Sequence, residues 1–314
     1  MPETTSRGRF VWHDLLTTEP DAATRFYPRV TGWTVQQWDE DPSYRMWVAG
    51  GVPIGGVTRL PDEARRMGAS PHWMPHITVP DVDATIRQAT GIGGRIVAPA
   101  RDLSVGRYAV LADPSGAIVS VFKPAPTSGG GPPDDAVPMM GDFSWHELAT
   151  KDYKAAWDYY RALFGWVPKG SFDMGPAGTY WMFGRPGVDR ALGGMYNKGP
   201  NVPNAHWLCY VRVANADRAA QTTAGLGGRV TNGPMDVPGG DRVAMLADPQ
   251  GAAFAVDYMP EQAKGVEKKT VQKKTVKTKG VKKKGVKKKP VKKKGVKKKG
   301  VGKSAKKKSV KKKK

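Results

Sequence analysis

The side chains able to do chemistry come in two matching sets. Trp12-His13-Asp14-Leu15 and Trp145-His146-Glu147-Leu148 each set an imidazole beside a carboxylate, the groups from which divalent-metal sites and general acid–base pairs are both made. A second pair of stretches, "HWMPH" from His72 and "HWLCY" from His206, adds His76 and Tyr210. His76, Tyr210 and Glu147 are the candidate catalytic residues, and Tyr210 and Ser120 can hydrogen-bond a substrate carbonyl without a metal. Trp12 and Trp145, joined by Trp47 and Trp181, would floor a cleft whose polar groups are Asp14, Glu147, Ser120 and Tyr210. That composition suits a flat apolar or cationic small molecule. The competing reading is that the ten tryptophans fill cores, with His13 and His146 as packing residues and His76 as a rim histidine bonded to a backbone carbonyl.

Such residues need elements to hold them, and the elements are duplicated. Trp12-His13 and Trp145-His146 stand 133 positions apart, as do Gly32-Trp33 and Gly165-Trp166; the offset is 134 at His72 and His206, and 135 at "LADPSG" and "LADPQG". Ordered matches with a slowly drifting offset mark a tandem duplication with small loop insertions. The chain divides into an arm (1–7), a first domain (8–124), a Gly/Pro linker (125–140), a second domain (141–260) and a tail (261–314). Within each domain a short β-prone run leads into an amphipathic helix, Ala22, Ala23, Phe26 and Val30 making its stripe. Gly32 and Gly165 stand where a left-handed cap would end that helix. Three strand candidates follow, and the strand-helix-strands cycle then repeats, ending in a DPxG turn that makes a hairpin of the last two strands.

That order, with the "FYxxxxGW" helix end, the "DVDA" helix start, the "GG" before the next strand and the "LADPxG" hairpin, resembles the vicinal oxygen chelate superfamily of glyoxalases, bleomycin-resistance proteins and extradiol dioxygenases. The resemblance covers residues 8–260 and is nearest to the two-domain bacterial glyoxalase-like or hydroxylase-like branch. It implies an α+β fold built by tandem duplication of paired βαβββ modules, each half a cup-shaped mixed sheet with outer helices. In the metal-dependent members a divalent ion is held by first-strand and last-strand side chains and polarises two neighbouring substrate oxygens. Anchored on Glu19 and Phe26, the first-strand ligand position falls on Trp12 and Trp145, and its second-module counterpart on Met74 and Leu208. The usual last-strand glutamate, seven residues after the turn aspartate, is replaced by Ser120 and Ala255. None of these suits a hard cation. His13 shares its strand face with Leu15, and His146 with Leu148, the side that packs on helices; the two histidines are the fallback metal ligands should a bulge reverse that parity. No cofactor is assigned, a divalent metal being the one the resemblance would bring. Two functions stay open: a metal-free module binding a small molecule in an aromatic cup, and a metal-dependent lyase, isomerase or dioxygenase acting on a small carbonyl or oxygenated compound.

The charge is concentrated at one end. Of the 51 basic and 28 acidic residues, 27 lysines and two glutamates fall in 261–314, a net of +25 that leaves the rest at −2. The tail repeats valine every five residues in "VKKKGVKKKPVKKKGVKKKG", a period that fits neither helix nor strand, so disorder is expected. It resembles the lysine-rich tails of linker histones. Lys282, Lys283, Lys284, Lys287, Lys288, Lys289, Lys292, Lys293, Lys294, Lys297, Lys298 and Lys299 would bind nucleic acid or another polyanion as point charges, without reading sequence. A single cysteine, Cys209, permits no internal disulfide, and no apolar run reaches the roughly 18 residues of a membrane span. A cytoplasmic, nucleoid-associated protein is expected, and a monomer is plausible because two domains are already fused.

Overall fold

The computed structural model describes residues 7–126 and 136–260. The polylysine tail, with every lysine named above, lies outside them. The first half runs β1 (Phe10–Thr17), α1 (Pro20–Thr31), β2 (Thr34–Trp38), β3 (Asp41–Ala49), β4 (Val52–Arg59), a single-turn α2 (Asp62–Arg66), β5 (His72–Thr78), α3 (Val82–Gly91), β6 (Arg95–Leu103), β7 (Gly106–Ala112) and β8 (Ile118–Pro124). The second repeats it as β9 (Phe143–Thr150), α4 (Tyr153–Phe164), β10 (Val167–Asp173), β11 (Thr179–Gly184), β12 (Gly193–Asn197), β13 (His206–Arg212), α5 (Ala216–Gly225), β14 (Arg229–Asp236), β15 (Arg242–Ala247) and β16 (Ala253–Tyr258). Each half is an eight-stranded sheet, ordered β2-β3-β4-β1-β5-β8-β7-β6 and β10-β11-β12-β9-β13-β16-β15-β14. The module-opening strands β1 and β5 are antiparallel neighbours at the centre, each flanked by its own module's last strand in parallel. This is the paired βαβββ architecture expected from the repeat.

Local signals explain the elements. Pro20 sits in the first turn of α1, and Gly32 closes it with φ of +81°, a conformation that costs any side chain with a Cβ. Asp152 caps α4 through the Lys154 and Ala155 amides. In the hairpins, Asp113 Oδ1 accepts from Ser115 and Ala117 amides at 2.8 and 2.9 Å, and Asp248 Oδ1 does the same for Gln250 and Ala252 at 2.9 and 2.8 Å.

Apart from α2, which buries no residue, the helices pack in cores shared by the two halves. Phe26, Tyr27 and Val30 of α1 are buried in one core with Ala244, Leu246, Phe254 and Val256 of the second half. Tyr159, Tyr160, Leu163 and Phe164 of α4 reciprocate against Ala109, Leu111, Val119 and Val121 of the first. The polar ties are reciprocal too. Tyr27 donates to Asp248 Oδ2 and Tyr160 to Asp113 Oδ2, both at 3.1 Å, while Trp73 and Trp207 donate to those tyrosine hydroxyls at 3.0 and 3.1 Å. The repeated Gly-Trp stop has the same purpose: Trp33 Nε1 bonds Gly141 O at 2.7 Å, and Trp166 Nε1 bonds Gly8 O at 2.8 Å. Residue 7, grouped with the arm on sequence grounds, is docked: the Arg7 guanidinium donates to Ala162 O and Leu163 O at the end of α4.

Candidate functional site

On the sheet face turned away from the helices, strand alternation gathers a small polar cluster in each half. In the first, β1 presents Trp12 and Asp14, and the register sets Trp12 beside His76 of β5, and His76 beside Ser120 of β8. Asp14 Oδ1 accepts from Trp12 Nε1 at 3.0 Å and from Tyr44 OH at 2.5 Å, and Oδ2 accepts from His76 Nε2 at 2.9 Å. Tyr44 lies over Gly56, where a Cβ would collide with its hydroxyl and ring; glycine there makes the room. Burial alone would raise the Asp14 carboxyl, but His76, Tyr44 and Trp12 outweigh it and hold Asp14 below the ordinary carboxylate range. Ser120 is fully buried, and its hydroxyl has no hydrogen-bond partner among the described residues.

The second cup repeats the Trp–Tyr–carboxylate frame with Glu147 for Asp14, Tyr210 for His76 and Ala255 for Ser120. Trp145 Nε1 donates to Tyr180 OH at 2.8 Å, and Tyr180 OH donates to Glu147 Oε2 at 2.9 Å. Tyr180 lies over Gly194, whose Cβ would likewise collide with its ring. Where the first half has His76, the second has Tyr210, which hydrogen-bonds Glu147. A hydroxyl replaces an imidazole, so the carboxylate loses its potential cation. Burial then dominates and pushes Glu147 up to about 7, with Tyr180 and Tyr210 pulling the other way. Burial also raises both tyrosines, so they remain donors.

Two of the sequence expectations need correction. Trp47 is fully buried among Tyr27, Trp33 and Trp73 in the shared core, and Trp181 packs against Tyr153 and Trp157 of α4; both face the helices. His76 is bonded to the Asp14 carboxylate, whereas the rim residues His72 and His206 take the backbone carbonyls, Ser70 O at 2.7 Å and Asn204 O at 3.1 Å. Sequence reasoning missed Tyr44 and Tyr180, although "YRMW" and "YWMF" repeat them at matching places. His13 and His146 point into the junction between the halves, 4% exposed each, with their Nε2 atoms 2.7 Å apart.

The metal-ligand positions of the expected fold hold Trp12, Met74 and Ser120 in one cup and Trp145, Leu208 and Ala255 in the other. Every oxygen of Asp14 already accepts a hydrogen bond. These residues do not fit a hard divalent ion.

Residues 11–122 match the glyoxalase-like domain family, and residues 143–256 match the glyoxalase/bleomycin resistance protein/dioxygenase superfamily. The chain belongs to that superfamily. It is 33% identical over 252 residues to "Putative glyoxylase CFP32" of Mycobacterium bovis, covering 78% of this chain and 92% of that one. It is 28% identical over 268 residues to the anthracycline biosynthesis protein DnrV of Streptomyces peucetius, covering 81% and 94%. Among solved structures, the Mn(II)-bound glyoxalase from Novosphingobium aromaticivorans superposes with a TM-score of 0.54 at 14% identity over 81% of this chain and 82% of that one. A single-site variant of homoprotocatechuate 2,3-dioxygenase from B. fuscum gives 0.56 at 15% over 82% and 73%. These two share the superfamily's duplicated fold. Among the described residues no helix is long and apolar enough to cross a membrane.

Proposed function

We propose that this superfamily member binds a flat, oxygen-bearing aromatic molecule in its cups without a divalent metal, and that the second cup exchanges a proton through Glu147. What carries the reading is the carboxylate on a Trp–Tyr floor in each cup, half-buried at Asp14 and buried at Glu147. A group near 7 is divided between acid and base at neutral pH, as proton transfer requires, and Glu147 is held there by burial. Trp145, half-buried, offers its ring to the ligand, while Tyr180 and Tyr210 orient the carboxylate. In the first cup Asp14 positions His76. The ligand class also fits the relative named for anthracycline biosynthesis, since anthracyclines are fused-ring hydroxyquinones. A metal-dependent reaction lacks donors at the expected positions. The lysine-rich segment after Pro260 adds a second activity, holding the body on nucleic acid or another polyanion.

Tryptophan-quenching titrations with catechol and a hydroxyanthraquinone between pH 5 and 9 test the cup. Ionised Glu147 accepts the ligand's phenolic proton, so affinity should rise with pH, with a midpoint near 7, and Glu147→Gln should remove that dependence. A wild-type profile identical to that of Glu147→Gln would exclude Glu147 from the role.

A further inference from the structure

The buried histidine pair takes no part in the cup chemistry. His13 of β1 and His146 of β9 meet Nε2 to Nε2 at 2.7 Å. Phe143 stacks on His13 and Phe10 on His146, with centroids 3.6 and 3.5 Å apart. Cys209 of β13 is the register partner of His146, and its Sγ joins the two rings in a buried group whose ligand atoms all lie within 4.8 Å of one another. Among the described residues this is the one place where three such side chains converge.

The protons do not resolve comfortably between two imidazoles alone. His146 Nδ1 faces Leu192 O at 3.2 Å, which puts its proton on Nδ1 and leaves Nε2 a bare lone pair. If His13 takes the same tautomer, toward the Ile54 carbonyl beside it, two lone pairs oppose each other. If it takes the other, its Nε2–H bonds His146 but its buried Nδ1 is left without a partner, an arrangement worth about 1–3 kcal/mol in lost solvation. A cation between the rings removes both difficulties. Metal-bound histidines keep the second ring N–H on a backbone carbonyl or carboxylate, and Leu192 O stands where that requires for His146.

We propose that His13, His146 and Cys209 hold a thiophilic transition-metal ion, Zn²⁺ in the first instance, at the junction of the two halves. Two imidazoles and a thiolate form a donor set suited to Zn²⁺ or Cu⁺ and unsuited to Mg²⁺ or Ca²⁺. Binding displaces the thiol proton to solvent, since burial otherwise keeps Cys209 protonated. Tetrahedral bonds of about 2.0–2.1 Å set two nitrogens about 3.3 Å apart, so the rings part by roughly half an ångström on loading. The ion joins β1 of one half to β9 and β13 of the other. It lies on the helix side of both sheets, away from the cups, with a water completing its coordination, and the proposal stands independently of the cup chemistry.

The test is cobalt loading of the full-length chain. One Co²⁺ per chain is expected, with the near-ultraviolet charge-transfer band of a thiolate ligand, and Cys209 is the only cysteine that can give it. Cys209→Ser should lose the band and the stoichiometric metal, and His76→Gln should keep both. A folded wild type that retains no Co²⁺ or Zn²⁺, or binds Co²⁺ without the band, overturns the site. So does an ion lost with His76→Gln, which belongs in the first cup. Should Cys209→Ser fail to fold, the wild-type spectrum alone decides.

Discussion

Deleting residues 262–314 should abolish retention on DNA while leaving the fold and the cups unchanged. The segment holds 27 lysines and one glutamate, a net of +26, which leaves residues 1–261 with a net of −3, so no comparable field is left to attract phosphate. Its lysines have no aromatic or arginine neighbours after Met259, which removes base stacking and bidentate recognition. Affinity should therefore be indifferent to sequence. With six to ten phosphates engaged, it should fall about 10³- to 10⁵-fold between 50 and 200 mM salt. Mobility-shift titrations of the full and truncated chains over that range read both effects. A truncated body that still shifts DNA at about 150 mM salt, where loose contacts are already screened, contradicts this division of labour.

The second large effect separates two residues that occupy equivalent places. Glu147 titrates near 7 in the fold against an ordinary value of 4.5. A raised folded value means that this group favours the fold below about 4.5 and loses that advantage as pH climbs to about 7; above it, the buried charge costs the fold roughly 3 kcal/mol. Glu147→Gln keeps an acceptor for Tyr180 and Tyr210 and carries no charge. It should stabilise the protein by about 1–3 kcal/mol at pH 8 and be near neutral at pH 4. Asp14 is the opposite case, because its folded value is depressed. Its contribution is present above the ordinary carboxylate range and lost only in acid, so Asp14→Asn should cost about 1.5–3 kcal/mol at pH 8 by weakening charge-assisted bonds. Denaturation curves of the two variants at both pH values provide the comparison. Equal destabilisation at pH 8 would mean that Glu147 is ionised and paired like Asp14.

The fold was legible because its signals are local. A Gly-Trp stop, a capped helix and a DPxG turn each act within a few residues, and their recurrence in order gives the duplication. The cup floor was only half legible. Trp12 and Asp14 alternate correctly on β1 past its irregularity between Phe10 and Trp12, but Tyr44 and Trp47 lie three residues apart and must face opposite sides. Both are aromatic, so nothing in their types says which turns to the core; the tertiary packing of Trp47 on Tyr27, Trp33 and Trp73 decides it. Tyr180 and Trp181, adjacent in sequence, pose the same ambiguity. The ties between halves were out of reach altogether. Tyr27 to Asp248 and Tyr160 to Asp113 span loops whose closure no short-range pattern announces. The partnership of His13 with His146 was visible only as a repeated motif, which explains why the pair could be read as two candidate ligands and not as one contact.

On the proposed function, the cups hold an aromatic ligand without a divalent ion. The most direct measurement is the affinity of chelator-treated full-length protein for catechol and a hydroxyanthraquinone, compared with the same protein supplied with Mn²⁺. Equal affinities are expected, and loss of binding in the second cup with Glu147→Ala. Binding that appears only when Mn²⁺ is supplied would contradict it.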